Sequence, residues 1–150
     1  MITGQNHAAA TTLSGLTQKA GAKVAAAIQN ASAKTGVDFS YLMQQAQIES
    51  SFKTDVKSCS SSATGLYQFI DSTWLQMVDR YGDDYGIDTD GKSKREILAM
   101  RKDPKASSFM AAAFASENER TLRSNWGGNV GETELYLAHF LGANGASSFL

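Results

Sequence analysis

The stretch that opens at Asp103-Pro104 constrains this chain most. A carboxylate that can cap, followed by proline at the first helical position, is a strong helix start. Ala106, Phe109, Met110, Ala113 and Phe114 then recur at helical spacing, and the helix is predicted to run to about Arg123. Within it, Ala111-Ala112-Ala113-Phe114-Ala115 presents small residues that let a second helix approach closely. The chain carries 21 Ala against 11 Val plus Ile, and that balance favours helix over strand. No segment alternates long enough to make a convincing strand, with Leu66 to Ile70 the one ambiguous stretch. The expectation is a mainly α fold, and 150 residues suit one domain.

Other helices follow from caps and periodicity. One is predicted from about Ala20 to Lys34, with Val24, Ala27, Ile28 and Ala31 on one stripe and Thr35-Gly36 closing it. Asp38 can cap a helix over about Phe39 to Ser51, with Leu42, Met43 and Ala46 facing inward. Asp71 or Ser72 is expected to cap a third through Trp74, Leu75 and Val78, and Ser93 to open a short one with Ile97, Leu98 and Met100. Residues 53–65 and 81–92 read as loops, Asn125 to Gly131 as a turn, and Thr133 to Leu141 as a central, largely apolar helix. Residues 1–18 are expected to be a mobile lead-in, and 19–150 the functional domain.

Composition excludes several classes. Net charge is −1, from 14 Lys plus Arg and 15 Asp plus Glu, which argues against an electrostatic nucleic-acid binder. A single cysteine, Cys59, rules out a disulfide within the chain and a cysteine-built zinc site. Two histidines, His7 and His139, leave little for a His-rich metal centre, and no cofactor is expected. No stretch approaches 18 apolar residues, so no membrane span is expected, and the N-terminus lacks the pattern of a secretory signal. Asp88-Thr89-Asp90-Gly91 resembles part of a calcium loop, but Gly86 and Ile97 fall where that loop needs its acidic ends.

Glu49 is the carboxylate with the most to say. It lies seven residues after Leu42 and three after Ala46, on or beside the buried stripe. It also lies in the last helical turn, where the dipole disfavours negative charge. Burial and dipole both raise a carboxyl pKa, and a carboxyl protonated near neutral pH is what a general acid requires. The same periodicity also describes a surface glutamate at a helix edge. About one loop later, Gly65-Leu66-Tyr67-Gln68-Phe69 combines backbone freedom, aromatic surface and an amide. That equipment suits sugars, with apolar ring faces and polar rims; it equally describes a packed turn. Tyr136-Leu137-Ala138-His139-Phe140-Leu141-Gly142 places an imidazole on an apolar helix, where a hydrogen-bonded core histidine is the plainer reading.

Taken together, these segments resemble the catalytic domain of the soluble lytic transglycosylases, with wording like that of alphaproteobacterial members. Three motifs carry the likeness. Gln47-Ile48-Glu49-Ser50-Ser51-Phe52 matches a helix ending in Glu-Ser. Cys59-Ser60-Ser61-Ser62-Ala63-Thr64-Gly65-Leu66-Tyr67-Gln68 matches a loop of the form Ser-x-x-Gly-Ala-x-Gly-Leu-Met-Gln. Ala138-His139-Phe140-Leu141-Gly142 stands at the family's Ala-Tyr-Asn-Ala-Gly. The chain departs at Cys59 for Ser, Ser62 for Gly and Tyr67 for Met, and keeps only Ala138 and Gly142 of the third motif.

The resemblance implies a single-domain, goose-type lysozyme-like helical fold and cleavage of the bond between N-acetylmuramic acid and N-acetylglucosamine, forming a 1,6-anhydro sugar. It implies Glu49 as acid and then base. Ser50 and Gln68 would orient the acid or the glycan, and Tyr67 and Phe69 would wall the cleft or meet sugar faces. His139 would replace a tyrosine that contacts the acid, with Tyr136 and Glu134 beside it. It implies glycan strands of peptidoglycan as partner, a periplasmic or wall-facing setting, a monomer, and service either alone or with a wall-spanning secretion or flagellar apparatus. A muramidase on the same scaffold, or a non-catalytic peptidoglycan-binding module, are the alternatives.

Overall fold

The computed structural model describes residues 13–126, the side chains of Asn125 and Trp126 excepted. Helix α1 (13–20) is separated from α2 (Ala22–Thr35) by Gly21 at φ +86°. The lead-in is thus already helical by residue 13, and Leu16 and Ala20 pack against the core. Gly36 ends α2 in the left-handed conformation, its N–H donating to the Ser32 carbonyl at 2.9 Å, as the Thr35-Gly36 pair predicts.

Helix α3 (Phe39–Ser50) starts where expected, with the Asp38 carboxylate accepting the Tyr41 N–H at 2.9 Å. After a loop come α4 (Asp71–Tyr81), a 3₁₀ turn (Gly82–Tyr85), α5 (Lys94–Ala99) and a second 3₁₀ turn (Met100–Lys102). α5 opens with a reciprocal capping box, Ser93 bonding the Glu96 N–H and Glu96 bonding the Ser93 N–H. Helix α6 (Pro104–Trp126) is capped by Asp103, which accepts the Ala106 N–H at 3.0 Å. It runs three residues past the expected end and absorbs the start of the anticipated turn. The third motif and the Thr133–Leu141 helix lie outside the described residues.

The longest packing interface is α2 against α6. Ala25 and Ala31 on α2, and Ala111, Ala112 and Ala115 on α6, are buried, so small residues let the two backbones come close. Around them Ile28, Leu42, Met43, Leu66, Tyr67, Trp74, Met77, Phe109 and Met110 form one core. Each large side chain so buried contributes about 1.5–3 kcal/mol. Leu66–Phe69 makes no strand: the described residues contain only isolated bridges, Lys57 with Thr64 and Thr64 with Phe69. No helix among the described residues is long and apolar enough to cross a membrane.

Candidate active site

Glu49 stands in the last turn of α3, half-buried. Burial pushes its carboxyl above the ordinary carboxylate range. The chain then reverses abruptly. Ser51 and Phe52 both have positive φ, +53° and +65°, and the Ser51 N–H closes on the Gln47 carbonyl at 2.9 Å. A bulky residue in that region is strained. Phe52 is held there because its ring is buried in the core.

Ser50 turns the other way, into the protein. It is buried, and its hydroxyl donates to the Leu66 carbonyl at 2.7 Å, with the Ala46 carbonyl farther off at 3.2 Å. The residue beside the acid thereby fastens the end of α3 to the loop of the second motif.

That loop is braced almost wholly by backbone carbonyls. The Gly65 N–H donates to Val56 at 2.8 Å, the Ser58 N–H to Ala63 at 2.8 Å, and the Thr64 N–H to Phe69 at 3.1 Å. Gln68, at φ +54°, donates its side-chain amide to the carbonyls of Val56 and Gly65 at 3.0 and 2.9 Å. Its NH₂ group is therefore committed to holding the loop.

Tyr67 and Phe69, expected to wall the cleft or meet sugar faces, are buried in the core. Tyr67 is fully buried and its hydroxyl donates to the Leu42 carbonyl at 2.8 Å. Burial, with Tyr41 nearby, drives its phenol far above the ordinary range, so it stays neutral. Phe69 is 2% exposed and meets Trp74 edge to face at 5.2 Å and Phe114 at 6.0 Å. The loop folds its aromatics back because the space beneath it is lined by α3, α4 and α6; of residues 64–69 only Gln68 is partly exposed. Tyr136, His139 and Glu134 lie outside the described residues.

Arg101 was not anticipated. It is 8% exposed, and its guanidinium donates to the carbonyls of Leu98, Ser62 and Phe69 at 2.9, 2.9 and 3.0 Å. It also pairs with Asp71 at 2.7 Å. Asp71 consequently does not cap α4. Ile70 occupies that position without a side-chain bond, and the Asp71 N–H is met instead by the Ser62 hydroxyl at 2.9 Å. Gly65, at φ +88°, sits so close to the Arg101 main chain that a Cβ would fall 2.1 Å from the Arg101 carbonyl oxygen.

The fold and site define a mainly α, lysozyme-like domain with one partly buried acid at a helix end, tied by its neighbour to a rigid Gly-centred loop. The family model described as "Transglycosylase SLT domain" matches residues 26–131, well over half of the chain, and the chain belongs to that family. The matched region contains Glu49-Ser50 and Gly65 to Gln68, and it ends before Ala138 to Gly142.

Proposed function

We propose that this protein is a peptidoglycan lytic transglycosylase acting on the wall side of the cell, with Glu49 as its single acid and base. The observation that carries the reading is Glu49 itself: a half-buried carboxyl whose pKa burial raises, at the Glu-Ser helix end of the family. Protonated Glu49 delivers its proton to the glycosidic oxygen, and the bond from that oxygen to the muramoyl C1 breaks. The sugar's own N-acetyl group stabilises the cationic C1. Ionised Glu49 then takes the proton of the muramoyl C6 hydroxyl, whose oxygen bonds to C1. A 1,6-anhydro sugar and a new alcohol result, with no water consumed and Glu49 restored. One carboxyl suffices, unlike the usual pair of a glycosidase.

On this reading Ser50 fixes the loop against the acid, and Gln68 offers a sugar hydroxyl its amide oxygen. Tyr67 and Phe69 act beneath the loop as its support. His139, neutral in the active form, takes the role of the family's tyrosine, and Tyr136 and Glu134 serve as further glycan contacts.

Digestion of purified sacculi followed by mass analysis tests this directly. The expected products are anhydro-muropeptides, lighter by one water than hydrolytic ones, and Glu49→Gln releases none while keeping its helical circular dichroism. Reducing-end products, or anhydro products from Glu49→Gln, would each overturn the mechanism.

A further inference from the structure

The near-zero net charge conceals a local excess. Lys57, Lys94, Arg95, Arg101 and Lys102 line one groove together with Thr64, Leu98 and Ala99, and no carboxylate lines it. Five of the 14 Lys and Arg residues gather there, so local charge does not follow the chain total. The groove's volume is about 590 Å³, within the ~300–1,000 Å³ that small-ligand sites occupy.

The cations differ in what holds them. Arg101 is turned inward on the loop carbonyls and Asp71. Lys57 donates to the carbonyls of Ser58 and Ser61 at 3.3 and 3.1 Å. Lys94, Arg95 and Lys102 are exposed and belong to none of the ion pairs among the described residues. The carboxylates adjacent to them in sequence, Glu96 and Asp103, are engaged by the Ser93 and Ala106 N–H groups. Three cations thus face the groove with their charge unspent.

The groove shares the second-motif loop with the site above. Thr64 on its wall is two residues from Leu66, whose carbonyl accepts the Ser50 hydroxyl beside Glu49. Its floor, Leu98 and Ala99, is apolar, which suits a short peptide with small aliphatic side chains better than bare phosphate.

We infer that the groove formed by Lys94, Arg95, Lys102, Leu98 and Ala99 binds the carboxylates of the stem peptide carried by the muramoyl sugar. This rests on the function proposed above. A glycan strand at Glu49 brings a lactyl-linked peptide with free carboxylates on every second sugar, and the groove supplies matching charge from α5 and the 3₁₀ turn that follows it.

The test compares wild type with Lys94→Ala, Arg95→Ala and Lys102→Ala combined. The substrates are strands bearing stem peptides and strands stripped of them by an amidase. Three exposed contacts of ordinary strength predict a KM raised about tenfold on peptide-bearing strands, with kcat unchanged. Stripped strands should show no difference, and the effect should fade in high salt as screening shortens to a few Å. Lys19→Ala, Lys23→Ala and Lys34→Ala together, which remove equal charge away from the groove, should leave KM unchanged. An equal KM change on both substrates, or none on either, overturns the inference. If wild type cleaves neither substrate, the proposed function fails on its own. The groove is then judged by binding of a labelled stem tetrapeptide: loss of that binding in the triple variant sustains it. Binding of inorganic phosphate alone, or equal peptide binding by both proteins, overturns it.

Discussion

Replacing Gly65 by alanine puts a methyl carbon 2.1 Å from a main-chain oxygen, that of Arg101. A flexible side chain could swing away, but this oxygen belongs to the 3₁₀ turn Met100–Lys102 and moves only with its peptide unit. Ordinary contact begins at 3.4 Å, so loop and turn must separate by about 1.3 Å. That shift takes the Leu66 carbonyl out of reach of the Ser50 hydroxyl, now 2.7 Å away. The left-handed backbone, overpacking and one lost hydrogen bond together cost about 3–6 kcal/mol. That is a large part of the ~5–15 kcal/mol typical of a domain. Gly36 is the control: its φ is +80°, and a Cβ there meets nothing within 4 Å. Gly36→Ala therefore carries only the backbone cost of about 1–2 kcal/mol. Urea unfolding followed by circular dichroism should separate the two variants by at least about 2 kcal/mol, with glycan cleavage lost only in Gly65→Ala. Equal unfolding midpoints would refute the claim that the loop is wedged against Arg101.

Three further outcomes follow from the same geometry. Arg101→Lys keeps a charge but not the planar fork that reaches three carbonyls and Asp71, so it should lose about 2–4 kcal/mol in urea unfolding. Ser50→Ala removes one buried hydrogen bond, costing about 1–2 kcal/mol, and should lower kcat on glycan strands more than that stability loss explains. Glu49 gives a pH signature in two readouts. Its raised folded-state pKa means that its contribution to stability is full below the ordinary carboxylate range and is lost as pH rises through the raised value. Glu49→Gln should thus melt above wild type at neutral pH and alongside it in acid, while wild-type kcat/KM falls as pH rises through the same pKa.

What was legible in the sequence depended on the range of each interaction. Asp38, the Ser93–Glu96 box and Asp103-Pro104 announce helices because a cap bonds a backbone N–H three residues away. Arg101 gave no such sign. Two of its three carbonyl partners lie 39 and 32 residues distant, and a carbonyl has no residue identity to read. Neither Asp71 nor Ser72, the two expected caps, caps α4; Asp71 is drawn instead into an ion pair with the buried guanidinium. Tyr67 and Phe69 were harder to read for another reason. Aromatic character marks a residue that wants burial or a ligand, and a Gly-centred loop fits either. Burial won because Leu66 to Phe69 passes directly over the core.

Strain in the described chain collects around the acid. Its non-glycine residues with positive φ are Ser51, Phe52 and Gln68, the first two immediately after the Glu-Ser pair and the third in the facing loop. Such residues cost about 1–3 kcal/mol each and persist only where surrounding contacts fix them. The contacts here are specific: core burial for Phe52, the Gln47 carbonyl for Ser51, and two loop carbonyls for the Gln68 amide. A helix continued past Ser50 would need none of this, but it would carry Glu49 into mid-helix, away from the terminal turn where the helix dipole opposes a negative charge. Ending α3 one residue after Glu49 holds that carboxyl at the helix terminus, where burial raises its pKa. The strain thus fixes where one carboxyl stands, and Ser50 and Arg101 hold the opposing loop in place.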